Sequence, residues 1–304
     1  MTINSFLFHP DVKKALKKNG PVLALESTIL AHGMPFPENL AFAKNSADLL
    51  MSAGVVPATI AIINGKIKIG LDEKDLEFVC NNPAVHKTSL RDLGAIVSEK
   101  RSGATTASAT MHLAYLAGIS VFSTGGIGGV HHNYSKNMDM SQDLMALSNV
   151  PIIVVSAGAK SILDLPKTLE TLESFGVPVI GFKTKEFPGF YSRNTGLKLN
   201  NHVKSVEEII KQYKTSRALK INSAFLIANP IRKKDEISKK EIGGYLKSAL
   251  KLADKNKISG KDVTPFLLKT IVDLSCGKCL KANISLALNN IKLGAEIATS
   301  LAGR

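Results

Sequence analysis

The sequence predicts an α/β protein: a mixed, mostly parallel central sheet covered on both faces by helices (a three-layer α/β/α arrangement), with a helical C-terminal segment. Three observations lead there. Near-continuous apolar runs of strand character alternate with segments of helical period, the pattern of parallel strands buried on both faces. Two of the strand candidates are joined by Asn64-Gly65, which supplies the positive φ angles of a two-residue type I′ turn, so the sheet is mixed. From about Lys239 to Arg304 only helical patterns remain.

In chain order the strand candidates are Pro21–Leu25, Thr59–Ile63 with its hairpin partner Lys66–Ile69, Val121–Ser123, Pro151–Val155, Val177–Phe182 and Ala224–Ala228. They are rich in Val, Ile, Leu and Ala, residues that suit a strand enclosed by helices. Between them, helical periodicity appears at about Asn39–Ser52, Ala104–Ala117, Gln142–Ser148, Ser161–Phe175 and Ser205–Thr215. The tail adds Lys239–Asn256, Thr264–Leu274 and Leu280–Ser300. With no internal repeat, low-complexity stretch or flexible linker, residues 1–304 are expected to form a single domain.

Composition excludes several classes. Hydrophobic residues make up 44% and charged residues 21%, which fits a globular rather than a disordered chain. No apolar run reaches the roughly 18–20 residues of a membrane span. Met1–Pro10 contains Phe6-Leu7-Phe8 but neither a basic lead nor a long apolar run, so no signal peptide and a cytoplasmic location are expected. The net charge of +14 attracts polyanions. Its lysines and arginines are scattered, however, densest at Arg232-Lys233-Lys234 and Lys239-Lys240, without Trp or alternating basic and aromatic residues. A solvated surface is therefore favoured over nucleic-acid binding, and a basic cleft for a phosphorylated small molecule fits the same charge. Cys80, Cys276 and Cys279 cannot build a disulfide framework. Cys276-Gly277-Lys278-Cys279 lacks the second ligand pair of a zinc site and the setting of a thioredoxin motif, which leaves free thiols.

Open α/β sheets bind ligands at the carboxyl ends of their strands. Glu26 follows the first strand candidate, where desolvation would suit a proton donor or acceptor, although a capping or surface role fits as well. Gly125-Gly126-Ile127-Gly128-Gly129 follows another strand and matches neither GxGxxG nor a Walker A loop, so it says that the backbone approaches something closely, an anion being one possibility. Asp139 and Asp143 would stand one turn apart if a helix began at Asp139 and could then share a divalent cation; Asp139 with Gln142 would equally make a capping box. Lys160, among small residues past the apolar run Pro151–Val155, is a candidate nucleophile, since low-dielectric surroundings favour the neutral amine. Gly103-Ala104-Thr105-Thr106, taken as opening a helix, would suit a phosphate.

Together these strings resemble the pseudouridine-5′-phosphate glycosidase family, which includes the indigoidine-synthase-A-like proteins. The resemblance runs through Ala24–Ile29 with Ala31–Pro37, Gly54–Ala61, Gly103–Thr106, Thr124–His131, Asp139–Leu144 and Ala157–Asp164 to Ala228–Ile231 and Thr264–Leu268, in order. It spans roughly Pro10 to Ala298. Asn133–Asn137 and Cys276–Cys279 depart from the family's pattern, and His132 stands where a basic residue is usual.

The resemblance implies reversible cleavage of the C–C glycosidic bond of pseudouridine 5′-phosphate to uracil and ribose 5-phosphate, formally by a lyase. It also implies a divalent metal, usually Mn²⁺, and a homotrimer. By the same resemblance Lys160 forms a Schiff base with C1 of the ring-opened sugar, and Glu26 and Asp143 act in proton transfer or positioning. Asp139 is the metal ligand; Lys87, Thr106, Thr124 and Ser141 hold the phosphate, with His131 and Asn283 also lining the pocket. The chemistry asks for such a set. A ring carbon leaves far less readily than the oxygen of an ordinary glycoside, and an iminium at C1 provides the electron sink. The alternatives are a C-glycosyl synthase joining ribose 5-phosphate to another aglycone, or a basic RNA-binding module without turnover. The full set of Lys160, Glu26, Asp139 and Asp143 speaks against the module.

Overall fold

The computed structural model describes residues 6–132, 134–258 and 263–303. Asn133, first residue of the departing segment after the glycines, lies outside the described residues, as do Met1–Ser5 of the N-terminal stretch. Among the described residues eleven strands form the sheet: β1 (Phe6–Phe8), β2 (Val22–Leu25), β3 (Val56–Ile63), β4 (Lys66–Ile69), β5 (His86–Thr88), β6 (Gly103–Thr105), β7 (Val121–Ser123), β8 (Ile153–Ser156), β9 (Val179–Phe182), β10 (Asn201–Val203) and β11 (Phe225–Ala228). Their order is β1-β4-β3-β2-β7-β8-β11-β9-β10, with β6 branching from β3 and β5 pairing β6. Only β3–β4 and β3–β6 are antiparallel among the described residues, so the sheet is mixed and mostly parallel.

The local causes are plain. Strands β2, β8 and β11 are buried along their whole length, and alternate side chains point to opposite faces, so both faces are covered and the layering is α/β/α. Leu23, Ile153, Val154 and Leu226 are fully sealed from water, each burial contributing roughly 1.5–3 kcal/mol. At the hairpin, Asn64 (φ 51°) and Gly65 (φ 73°) take the expected left-handed pair of angles, and Ile60 faces Ile69 while Ile62 faces Ile67. The helix Lys278–Ala302 packs across β2, β7 and β8. All three thiols are free; Cys276 is exposed and Cys279 is buried in the first turn of that helix. No helix of the described residues is long and apolar enough to cross a membrane.

Two of the expected helices come out shorter than their patterns. The pattern Ala104–Ala117 divides into strand β6 and a helix Ala107–Leu116, because Ala104 pairs with Ala61 of β3 and Lys87 of β5. The pattern Ser161–Phe175 yields a helix only over Leu165–Ser174, where the Asp164 side chain caps the Lys167 N–H at 3.1 Å. Strands β1, β5, β6 and β10, three residues each, carry too little period to be read from sequence.

Candidate active site

Strands β2, β7 and β8 lie side by side and parallel, so their carboxyl ends open in one place. Glu26 follows β2, Thr124 and the glycines follow β7, and Ala157–Lys160 follow β8. Around these ends lies a cavity of about 440 Å³, within the usual range for a small-molecule site. All ten residues named from the sequence line it: Lys160, Glu26, Asp143, Lys87, Thr106, Thr124, Ser141, His131, Asn283 and Asp139.

Glu26 is only 6% exposed, and it accepts a hydrogen bond from the Thr124 hydroxyl. Burial pushes its pKa up; the Lys160 cation and the Thr124 bond pull it back, Asp143 adds to the rise and Lys87 opposes it. A carboxyl so placed holds its proton more readily than an exposed one, which an acid catalyst requires. Lys160 is half-buried; its backbone N–H is bound to the Ile127 carbonyl (3.0 Å), which ties the lysine loop to the glycine loop. Burial lowers the proton affinity of His131, and the Asp139 carboxylate opposes that fall.

The geometry around Asp143 corrects both readings of the Asp139 segment. The helix starts at Gln142, and its cap is Ser141, whose hydroxyl accepts the Asp143 N–H at 3.2 Å. Asp139 lies before it in a segment that bridges back, Met140 to Val130 and Ser141 N–H to the Gly129 carbonyl (2.9 Å). Hence no one-turn pair of aspartates forms and no Asp139–Gln142 capping box either. Asp143, 4% exposed, instead accepts the backbone N–H of Ser108 (2.9 Å) and of Gly128 (2.8 Å). The anion approached by the glycine loop is thus, at Gly128, one of the protein's own side chains. A Cβ there would lie 2.2 Å from the Ser141 hydroxyl, and one at Gly126 would lie 2.6 Å from the Phe190 ring, so close packing excludes side chains from both positions.

Lys87 projects from β5, and Thr106 stands at the N-terminus of the helix Ala107–Leu116. An N-terminus with its aligned N–H groups beside a lysine suits a phosphate. Thr124 offers less than expected of a phosphate ligand, because its hydroxyl serves Glu26 and its backbone N–H serves the Val155 carbonyl (3.0 Å). For a divalent cation, the described residues contain no cluster of three or more His, Cys, Asp or Glu side chains. The donors that do line the cavity here, the Asp139 carboxylate with His131 near it, fit a cation that keeps most of its own waters.

Several contributors escaped the sequence. Ser27, fully buried, donates its hydroxyl to the Ile60 carbonyl (2.6 Å) and accepts the Thr105 N–H (2.8 Å), locking the Glu26 turn to β3 and β6. Phe190 lines the cavity at φ 65°, an uncommon conformation for a bulky residue. Asn290 holds two carbonyls of the glycine loop. The positive φ of Phe190 has no signal in sequence, whereas Asn290, one turn on from the apolar Leu286 and Ala287 and followed by Ile291, is the kind of polar outlier on an apolar helix face that invites inspection.

A lysine after β8 and a buried carboxyl after β2, on either side of β7, with Lys87 and a helix N-terminus in the same cavity, define an α/β enzyme site for a small anionic substrate. The chain belongs to the indigoidine synthase A-like family, whose model matches residues 11–300. It is 51% identical over 291 residues to a pseudouridine-5′-phosphate glycosidase of Caldanaerobacter subterraneus subsp. tengcongensis, covering 96% of this chain and 95% of that one. A protein of the same name from Petrotoga mobilis is 49% identical, covering 95% and 94%. Among solved structures, the indigoidine synthase A-like protein of Thermotoga maritima superposes with a TM-score of 0.88 at 36% identity, covering 94% of each chain. The prealnumycin C-glycosynthase AlnA, in complex with ribulose 5-phosphate, gives a TM-score of 0.91 at 31% identity, covering 99% and 98%.

Proposed function

We propose that the chain cleaves the C–C glycosidic bond of pseudouridine 5′-phosphate reversibly, giving uracil and ribose 5-phosphate. The observation that carries this reading is the convergence of Lys160 and the buried Glu26 in one cavity with Lys87 and a helix N-terminus. It is supported by relatives named pseudouridine-5′-phosphate glycosidase at 45–51% identity over nearly the full length. The synthase AlnA is less similar, at 31%, so cleavage is preferred over C-glycosyl synthesis.

In this reading Lys87, the Thr106 end of its helix and Ser141 grip the phosphate, a binding interaction remote from the reacting bond that positions it. The Lys160 nitrogen bonds to C1 of the sugar as the ring C–O bond opens and that oxygen takes a proton. Glu26 then gives its proton to C5 of uracil. The C1–C5 bond breaks with its electrons returning to the protonated ring, while the lysine nitrogen's lone pair becomes the C=N bond. Water hydrolyses that iminium, releasing open-chain ribose 5-phosphate and Lys160. Asp143 holds the glycine loop, and Asn283 lines the same cavity. A divalent cation such as Mn²⁺, held by Asp139, would supply positive charge toward substrate oxygens. We further infer a homotrimer working in the cytoplasm on small molecules alone.

The test is to incubate the protein with ribose 5-phosphate, reduce with borohydride and locate the adduct by peptide mass spectrometry. The mass gain is expected on Lys160, and Lys160→Ala should form no adduct and release no uracil. An adduct elsewhere, or none with an active enzyme, would overturn the mechanism.

A further inference from the structure

One buried side chain outside the reacting set is tied directly to it. Asn290, on the helix Lys278–Ala302, has no exposed surface. Its amide nitrogen donates to the carbonyls of Thr124 (2.9 Å) and Gly125 (3.2 Å), and its amide oxygen accepts from the Asn229 amide at 3.0 Å. The orientation of this amide is fixed chemically, since two carbonyls can only accept. Asn229 is itself held by its backbone N–H on the Ser156 carbonyl (2.8 Å) at the end of β8. A chain of hydrogen bonds therefore runs from the β8–β11 edge through Asn290 to the residue whose hydroxyl binds Glu26. Burying an amide this deeply is costly unless both ends are satisfied, and here both are.

We propose that Asn290 is a positioning residue for Glu26, acting through Thr124: it fixes the Thr124 backbone so that the hydroxyl points at the carboxyl. The kinetic form of this inference rests on the proposed lyase activity. The charges facing Glu26 are Lys87 from β5, Asp143 from the helix Gln142–Asn149 and Lys160 from the loop after β8. None of them hydrogen-bonds Asn290, so its loss reaches Glu26 through Thr124.

The experiment compares wild type, Thr124→Val, Asn290→Ala and the double variant by the pH dependence of kcat/KM for pseudouridine 5′-phosphate. In parallel, ¹³C-carboxyl NMR follows the titration of Glu26, assigned against Glu26→Gln. The Thr124 bond favours ionised Glu26, so Thr124→Val should move the Glu26 titration to higher pH, on the order of one unit. Asn290→Ala should move the same titration in the same direction, and the double variant should move no further than Thr124→Val alone. If Asn290→Ala does not fold, Asn229→Ala should give a smaller shift of the same sign. A Glu26 titration unchanged by Asn290→Ala or Asn229→Ala, or shifts that add in the double variant, would overturn the proposal. Failure of wild type to release uracil would overturn the activity instead, and the NMR titration would still decide the role of Asn290.

Discussion

Thr124 donates its hydroxyl hydrogen to Glu26, joining the ends of two neighbouring parallel strands where both side chains are nearly sealed from water. A single bond thereby links the proposed acid to the glycine loop. It also withdraws from phosphate binding the one donor the Thr124 side chain has.

Glu26 makes a stability prediction with a definite sign. Its pKa is raised in the folded state above the ordinary 4.5. Below the unfolded pKa both states are protonated and burial of the group carries no charge penalty. Above the folded pKa the buried carboxylate destabilises the fold. Glu26→Gln should therefore gain stability relative to wild type as pH rises from about 4 to 8, read as a widening Tm difference by calorimetry. A difference that narrows with pH would contradict the assignment. The same variant should lose roughly 10²–10⁴-fold in turnover.

The glycines of the loop are not equivalent. A Cβ at Gly128 would meet the Ser141 hydroxyl at 2.2 Å, its Cβ at 2.4 Å and Asp143 at 2.9 Å, whereas one at Gly125 would come no nearer than 3.4 Å. Gly128→Ala should cost about 1–3 kcal/mol in urea unfolding, as overpacking does, and Gly125→Ala under about 1 kcal/mol. Equal costs would mean that the loop yields freely.

Lys87 should be felt only by the phosphorylated sugar. Calorimetric titration with ribose 5-phosphate should show Lys87→Ala binding about 10–100-fold more weakly, the loss of one charge-assisted bond. Unphosphorylated ribose should bind both proteins alike. An equal loss for the two sugars would place Lys87 elsewhere in the reaction.

Asp139 is the residue to test for metal. With one carboxylate as the charged donor, Asp139→Asn should weaken Mn²⁺ binding at least about tenfold, as read by electron paramagnetic resonance of free Mn²⁺. Unchanged affinity would move the cation away from Asp139.

Much of the fold was legible because it rests on local periodicity. The runs that became β2, β3, β7, β8, β9 and β11 are apolar on both faces, and Asn64-Gly65 determines its turn through φ angles alone. Where a neighbour decided the outcome, local pattern misled. Ala104 reads as helix and is a strand residue because β3 and β5 offer it pairing partners. The helix begins at Gln142, where its pattern begins, and the one-turn pairing that a start at Asp139 would have given Asp139 and Asp143 does not form, because Met140 bridges to Val130.

By itself the sequence determined the α/β class, the strand ends where polar residues gather, and, through resemblance, the ten side chains that share the cavity. What those side chains bind was decided by the tertiary structure. Ser108 and Asp143 are 35 residues apart, Glu26 and Thr124 are 98 apart, and Thr124 and Asn290 are 166 apart. Hydrophobic period reports only which face of an element is buried. Which groups meet at that face depends on the order β2-β7-β8 and on the helix laid across it, and no local pattern encodes that order.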